Sequence, residues 1–335
     1  MKKITALLLA ILMLMSTALS ISATEPPRKF DDVPEDAWYA AHVDTVSWGL
    51  MKGTSETTFS PDMTLSRAMV VTILYRMAGE PDVEPADGGE MKFTDVKPHE
   101  WYTDAVLWAH SLGIVKGVDA NSFAPDKDIT RAELATMLFR YVRKLGLMFT
   151  QTNREVIFTD GDDIPLYAKD SAYYLCRGGV INGKDGNIFD PDANATRAEM
   201  AALVERLIES TVAQDYTLLE KLGAKISVSV EMTGGFASPT DGELWFGIYL
   251  SPTSDNIEEL HKADIKVENV TLSQEWGNVN IGLTRVERFD YVGFTYSEMY
   301  PPYVSEGDYV IVNFTVEYDG ESAQYQLYDR VTVVW

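Results

Sequence analysis

A chain of 335 residues is longer than a typical single domain and leaves room for two core-forming units. Its 51 acidic against 28 basic residues give a formal net charge of −23, a balance that repels phosphate backbones and argues against nucleic acid as a partner. The single cysteine, Cys176, excludes an intramolecular disulfide and, beside Tyr173, Tyr174 and Leu175, reads as a small core hydrophobe.

At the N-terminus Lys2-Lys3 precedes an apolar run from Ile4 to Met15, followed by small residues at Ser16, Ala18, Ser20, Ser22 and Ala23. That order is the one a secretory signal peptide needs. The apolar core is shorter than the roughly 20 residues of a membrane span, so residues 1–23 are expected to be cleaved, near Ala18 or Ala23, leaving no span behind. No cysteine stands directly after the run, which argues against a lipoprotein anchor, and no second long apolar segment appears, so attachment to a surface is expected to be non-covalent or to come from a partner.

Three copies of one block come next. They open at Phe30-Asp31-Asp32, Phe93-Thr94-Asp95 and Phe158-Thr159-Asp160, and close on Ser66-Arg67-Ala68-Met69, Thr130-Arg131-Ala132-Glu133 and Thr196-Arg197-Ala198-Glu199. Between these marks lie Trp38-Tyr39, Trp101-Tyr102 and Leu166-Tyr167. Glycine pairs follow at Gly49 and Gly53, Gly113 and Gly117, Gly179 and Gly183, and then Phe59-Ser60-Pro61-Asp62, Phe123-Ala124-Pro125-Asp126 and Phe189-Asp190-Pro191-Asp192. Units of this kind cannot each bury a face alone. Copies over residues 30–79, 93–146 and 158–208 are therefore expected to pack as one helical body with pseudo-threefold symmetry and grooves between copies.

Each copy reads as helix, loop, helix. In the second, Tyr102, Val106, Ala109 and Gly113 fall at helical spacing, with Gly113 suited to the left-handed residue that ends a helix. Gly117 either turns the loop or admits a close ligand, and spacing does not separate the two. The next helix starts at a capping box of Thr130 and Glu133, repeated at Thr196 and Glu199. In the first copy Ser66 keeps the cap while Met69 replaces the glutamate, which loosens that start by about 0.5–1 kcal/mol.

A cation in the first helical turn opposes the helix dipole, and Arg67, Arg131 and Arg197 repeat this three times. Two readings are open: arginine and helix start together hold an anion, or the arginine is satisfied by a carboxylate from a repeat opening, Asp31, Asp95 or Asp160.

Taken together, the quoted motifs resemble the S-layer homology family, modules by which exported bacterial proteins attach to cell-wall polysaccharide. The resemblance covers about residues 30–208. It implies that Arg67, Arg131 and Arg197 contact an anionic, often pyruvylated, wall sugar, with Trp38, Trp101 and Tyr167 as aromatic walls and Gly53, Gly117 and Gly183 in the adjoining loops. Aromatic faces suit sugar rings, and core packing is the alternative use of these side chains. The first copy lacks the glutamate at Met69, and the third lacks the tryptophan at Leu166 and inserts Gly161-Asp162-Asp163. The second copy keeps the pattern best.

Other chemistry finds no support. The string from Asp190 to Asn194 places Ala195 and Ala201 where a calcium loop needs Gly and Glu. His42, His99, His110 and His261 form no metal-binding pair, and no phosphate cradle, nucleophile elbow or zinc-protease motif is present. No cofactor, metal or catalytic residue is expected.

Residues 209–224 read as the end of the last helix and a connection, with a domain boundary near Ala224. Beyond it the period is two, with Ile226, Val228 and Val230 in one run and Val310, Val312, Phe314, Val316 and Tyr318 in another. Further strands are expected at 244–250, 265–272, 279–283, 324–327 and 331–335, with turns at Gly234-Gly235, Asp241-Gly242 and Asp319-Gly320. About seven short strands over residues 224–335 point to an all-β, immunoglobulin-like sandwich. From Lys225 onward 6 basic residues face 18 acidic ones, a solubilising surface. The aromatics Tyr291, Phe294, Tyr296, Tyr300 and Tyr303 form either a binding face or packing, and no partner of this domain is indicated.

The sequence thus describes a secreted, non-enzymatic protein of the bacterial cell surface, anchored to wall polysaccharide through its repeats. Its rivals are a component of a surface carbohydrate-active enzyme and a self-assembling surface-layer subunit.

Overall fold

The computed structural model describes residues 30–83, 93–150, 157–233, 243–253, 257–272, 278–279, 284–287, 292–299, 309–330 and 332–334. The signal-peptide expectation lies outside them, as do the turns at Gly234-Gly235 and Asp241-Gly242 and the aromatics Tyr291, Tyr300 and Tyr303.

Among the described residues six helices carry the repeats, two per copy: α1 Ala40–Val46 and α2 Arg67–Met77, α3 Thr103–Ser111 and α4 Arg131–Lys144, α5 Leu166–Arg177 and α6 Arg197–Ser210. Local chemistry sets their ends. The Thr130 hydroxyl accepts from the Glu133 N–H at 3.2 Å while the Glu133 carboxylate accepts from the Thr130 N–H at 3.3 Å, and Thr196 with Glu199 repeats the box. Ser66 accepts only from the Met69 N–H, at 3.3 Å. The first helix of the second copy ends at Gly113, whose φ of +71° places it in the left-handed region. Along α4, Leu134, Ala135, Leu138, Tyr141 and Val142 are buried at positions that share one helical face.

The copies interlock in a ring. Helix α3 packs on α2, α5 on α4, and α1 on α6, so each first helix rests on the second helix of the preceding copy and the first copy rests on the last. Where the three second helices begin, the backbone closes a circle. Leu65 N–H donates to the Ala195 carbonyl at 2.9 Å, Ala195 N–H to Ile129 at 3.1 Å, and Ile129 N–H to Leu65 at 2.9 Å. The side chains of all three are fully buried. These three main-chain hydrogen bonds join the starts of the three second helices in a cycle.

The repeat body departs from the expected all-α bundle, because β1 Leu147–Phe149 pairs antiparallel with β2 Thr211–Ala213. Two three-residue strands after helix ends leave too short an alternation to be read from sequence.

A second compact unit starts at Gln214, ahead of the boundary expected near Ala224. The reason is helix α7, Thr217–Leu222, whose Leu218, Leu219 and Leu222 are buried in the core of that unit. Gly223, at φ +66°, ends the helix. Two small sheets follow. The five-stranded one has the order β11 Thr332–Val334, β3 Ala224–Thr233, β4 Glu243–Pro252, β8 Val292–Met299, β7 Thr284–Glu287. The four-stranded one has the order β10 Glu321–Arg330, β9 Tyr309–Tyr318, β5 Asp264–Leu272, β6 Asn278–Val279. A short helix, α8 Ile257–Leu260, precedes β5. One apolar core joins Ile248 and Leu250 of β4 with Ile265 of β5, Val312, Phe314 and Val316 of β9, and Tyr325 of β10. The hairpin between β9 and β10 turns on Asp319 and Gly320, both at positive φ (51° and 77°), as a two-residue hairpin loop of this twist requires. Phe294 and Tyr296 belong to β8, paired with β4, so this segment is a strand where the sequence reading had only a cluster of aromatics.

Candidate functional site

In each repeat the aspartate that opens the block folds back onto the Phe-X peptide that follows the second glycine. Asp32 accepts from the N–H groups of Phe59 and Ser60, both at 2.7 Å; Asp95 from Phe123 at 2.8 Å and Ala124 at 2.7 Å; Asp160 from Phe189 and Asp190, both at 2.7 Å. A carboxylate oxygen on each of two successive N–H groups fixes the turn, and it holds Ser60, Ala124 and Asp190 at φ 57–58°. In the first copy the residue that does this is Asp32, one position beyond the Asp31 considered as an arginine partner.

The same Phe peptides are gripped from the other side by the arginine of a different copy. Arg67 donates from Nε to the Phe123 carbonyl at 2.8 Å, Arg131 to Phe189 at 2.8 Å and Arg197 to Phe59 at 2.7 Å. Each guanidinium also stands over that Phe ring, at 4.8, 5.6 and 4.4 Å. A second bond runs from Arg67 to the Lys116 carbonyl at 2.9 Å and from Arg197 to Lys52 at 2.7 Å, whereas Arg131 reaches the Glu199 carboxylate at 3.1 Å. All three arginines are buried, at 5%, 9% and 6% exposure. The link from opening aspartate to arginine is therefore indirect, through one clamped peptide.

The helix starts are equally committed. The N–H groups of Arg67 and Ala68 donate to Lys127 and Pro125, those of Arg131 and Ala132 to Ala193 and Pro191, and those of Arg197 and Ala198 to Met63 and Pro61. Free donors for an anion, which the sequence reading placed here, are taken up by the neighbouring copy's loop.

The aromatic residues lie outside this framework. Trp38 is 60% exposed, Trp101 58% and Tyr167 57%. Tyr102, the sequence counterpart of Tyr167, is buried, so in the third copy the tyrosine takes the exposure that tryptophan has in the others. Leu166, in the tryptophan position, is 88% exposed. Burial, then the Glu133 charge, raises the Tyr167 pKa against a contact with the Thr130 hydroxyl, which sets this ring beside the start of α4. Trp48 is a further exposed tryptophan without a counterpart in the other copies, and the repeat pattern gave no signal for it.

The glycines serve the fold at short range. A Cβ on Gly117 would lie 2.4 Å from the Asp119 oxygen and 2.6 Å from the Phe93 ring, and one on Gly53 would lie 2.6 Å from both the Phe30 ring and the Ser55 oxygen. At Gly183 the nearest atoms are Asn187 backbone at 3.1 Å.

The three helix interfaces differ in chemistry. Tyr75 meets Trp108 with centroids 5.5 Å apart between the first and second copies, and Phe139 meets Tyr174 at 5.1 Å between the second and third. Between the third and first, Glu205 of α6 accepts from His42 and, at 2.7 Å, from the Thr45 hydroxyl of α1. Among the described residues no cluster of His, Cys, Asp or Glu is arranged to hold a metal, and no helix is long and apolar enough to cross a membrane.

Three stretches of the chain, residues 29–68, 92–135 and 157–201, match the model of the S-layer homology domain. An amylopullulanase of Thermoanaerobacterium thermosulfurigenes is 31% identical over 57% of this chain and 10% of its own length. A cellulosome-anchoring protein of Acetivibrio thermocellus is 27% identical over 56% of this chain and 40% of its own length. A cell surface protein of Thermoanaerobacter kivui is 24% identical over 94% of this chain and 37% of its own length, a match that extends into the β unit. The chain thus spans less than half of each of these relatives.

Proposed function

We propose that this chain, whose N-terminal unit carries three S-layer homology domains, is a secreted protein of the bacterial cell surface held non-covalently on cell-wall polysaccharide. The observation that carries the reading is the coincidence of those three matches with three exposed aromatic side chains, Trp38, Trp101 and Tyr167, on a ring whose other motif residues are committed to closing it. Relatives named as cellulosome-anchoring and cell surface proteins support the location.

In this reading the three rings stack on sugar faces while hydroxyls stay solvated or hydrogen-bonded at the rim. In the same reading Arg67, Arg131 and Arg197 supply buried positive charge that favours an anionic, pyruvylated sugar, and Gly53, Gly117 and Gly183 let the loops close tightly enough to form the walls. The β unit is displayed; we read its two sheets, which share one core, as the faces of an immunoglobulin-like sandwich. No catalysis is assigned to the chain, and the amylopullulanase relative is matched over only a tenth of its length.

Sedimentation of the protein with purified cell-wall sacculi, before and after the secondary polymer is stripped, tests the proposal. Binding that disappears on stripping is the expected result. Equal binding to stripped sacculi, or none to intact ones, would overturn it.

A further inference from the structure

The two sheets of the β unit turn different chemistry outward. On β4, Ile248 and Leu250 are fully buried in the shared core, and on β3 Ile226 and Val228 pack against the same core. Strand residues alternate between faces, so Gly247 and Tyr249 of β4 and Ser227 and Ser229 of β3 belong to the opposite, outer face of the five-stranded sheet. Tyr249 does not stand up from that face. A Cβ at Gly247 would lie 2.3 Å from the Tyr249 hydroxyl oxygen and 2.4 Å from its Cζ, so the ring is laid along its own strand over the glycine, with the hydroxyl 3.4 Å from that of Ser229. In this pose the ring is half-buried, and a glycine inside a strand marks such a close approach.

Strand register fills out the surface around the ring. Ser227 is opposite Tyr249 and Ser229 opposite Gly247 on β3, while Gly293 and Thr295 take the corresponding positions on β8. Each of these four is a glycine or carries a hydroxyl, and none is charged, in a unit that has 18 acidic and 6 basic residues from Lys225 onward. Trp245 takes a position on the same face of β4, four residues or about 13 Å along the strand from Tyr249. The four-stranded sheet is built otherwise. Its outward positions bond one another across strands, Lys266 to Glu317 at 2.5 Å and Gln326 to Asn313 at 2.7 Å. A flat aromatic ring set among hydroxyls and glycines suits a pyranose, whose C–H face stacks on the ring while its hydroxyls exchange hydrogen bonds at the rim. The uncharged surround in an acidic unit favours a neutral sugar over an anionic one. With no aliphatic residue at the positions paired with Tyr249 or Gly247, the surface is unlike the apolar centre of a protein interface.

We propose that the outer face of the five-stranded sheet binds a neutral polysaccharide strand along β4, with Tyr249 as the stacking platform. The site lies wholly within the β unit and does not depend on the anchoring reading of the repeats.

Native electrophoresis of the full chain through gels carrying hydroxyethyl cellulose, xyloglucan, glucomannan or, as an anionic glycan, polygalacturonate tests this. At least one neutral glycan should retard the parent. Tyr249→Ala should weaken that interaction by at least about fivefold, whereas Tyr249→Phe, which keeps the stacking face, should stay within about threefold. Gly247→Ala puts a methyl where the ring lies and should weaken binding severalfold with Tyr249 intact. Ser227→Glu, at an exposed position opposite the ring, should do the same without touching the core, which keeps the test decisive if Tyr249→Ala melts early. Trp48→Ala, which removes an exposed aromatic of the repeat body, should stay within about twofold. No retardation by any neutral glycan, equal retardation of the parent, Tyr249→Ala and Ser227→Glu, or a Tyr249-dependent retardation confined to polygalacturonate would each overturn the proposal. Sedimentation equilibrium tests the other occupant: a parent dimer that Tyr249→Ala dissociates, with no glycan retardation, would give the face to a second copy of the chain instead.

Discussion

Arg197 donates from Nε to the main-chain oxygen of Phe59 at 2.7 Å, across 138 positions of sequence, and this bond joins the last repeat to the first. Because Asp32 accepts from the N–H of Ser60 at 2.7 Å, the other end of that same Phe59–Ser60 peptide, one peptide is fixed by two repeats at once. The repeat body is therefore a closed ring in which each copy completes its neighbour, and loss of one clasp is felt in two copies.

Arg131→Ala tests how much of the ring rests on a clasp. The change deletes bonds to the Phe189 carbonyl and to Glu199. A buried acceptor left without a partner costs about 1–3 kcal/mol, and bonds to charged groups are worth somewhat more than neutral ones. Chemical denaturation should show a loss of about 2–4 kcal/mol. Arg131→Lys keeps the charge but cannot reach two acceptors with a planar fork, so it should recover less than half of the loss. A stable Arg131→Ala protein would mean that this arginine is held for a ligand alone.

Gly117→Ala and Gly179→Ala separate crowding from backbone strain. At Gly117 the added methyl would meet two backbone oxygens at 2.4 and 2.5 Å, so the loop must move; at Gly179 nothing lies within 4 Å, but φ is +79°. The second change should cost about 1–2 kcal/mol, the penalty of a left-handed L-residue. The first should cost about 2–3 kcal/mol, typical of overpacking against unyielding atoms. Thermal melts of the two variants should rank in that order.

Glu205 predicts an acid limit at the closing interface. Burial pushes its pKa up, but bonds from His42 and Thr45 and the charges of His42 and Arg206 outweigh this and hold it below the usual 4.5. A carboxyl with a depressed folded pKa stabilises above its unfolded pKa, and that contribution is lost as pH falls through the folded value. Stability should therefore drop below about pH 4.5, and Glu205→Gln should flatten part of this drop while lowering stability at pH 7. Denaturation curves between pH 3 and 7 for the parent and variant supply the check.

The parts of this design that lie within a few consecutive residues were legible. Thr130 with Glu133, Thr196 with Glu199, and Gly113 at its helix end follow from local hydrogen bonding and backbone sterics. The acceptors of the arginines were not legible, because Phe123, Phe189 and Phe59 belong to other copies and periodicity within a copy says nothing about which copies touch. The dipole argument identified the arginines as unusual and the buried pairing as one of two options. It assigned the carboxylate to direct contact, and to Asp31 in the first copy, whereas the aspartates act through a clamped peptide and the first of them is Asp32. Helix α7 was missed because six residues give under two turns of periodicity. The β1 and β2 ladder was missed because three residues per strand give no alternation to read.

Trp101→Ala should distinguish surface from scaffold. The ring is 58% exposed and meets the adjacent Tyr102 edge-to-face, with centroids 5.1 Å apart, so its removal should change stability by no more than about 1 kcal/mol. If Trp101 is a wall-facing platform, sedimentation with sacculi should fall severalfold at the same time. Unchanged sedimentation would assign its exposure to no wall contact.

The start of the β unit gives the last test. A fragment beginning at Gln214 keeps Tyr216, whose ring lies 5.8 Å from that of Tyr325, and the buried Leu218, Leu219 and Leu222. One beginning at Lys221, close to the boundary that the change of periodicity indicates, loses all but Leu222. Removing a buried leucine from a core costs about 2–5 kcal/mol, and two of them approach the whole stability of a small domain, about 5–15 kcal/mol. The Gln214 fragment should unfold in one cooperative thermal transition, while the Lys221 fragment should melt far lower or show no transition. Equal melting of the two would mean that α7 covers the core without supporting it, and would move the boundary back to Ala224.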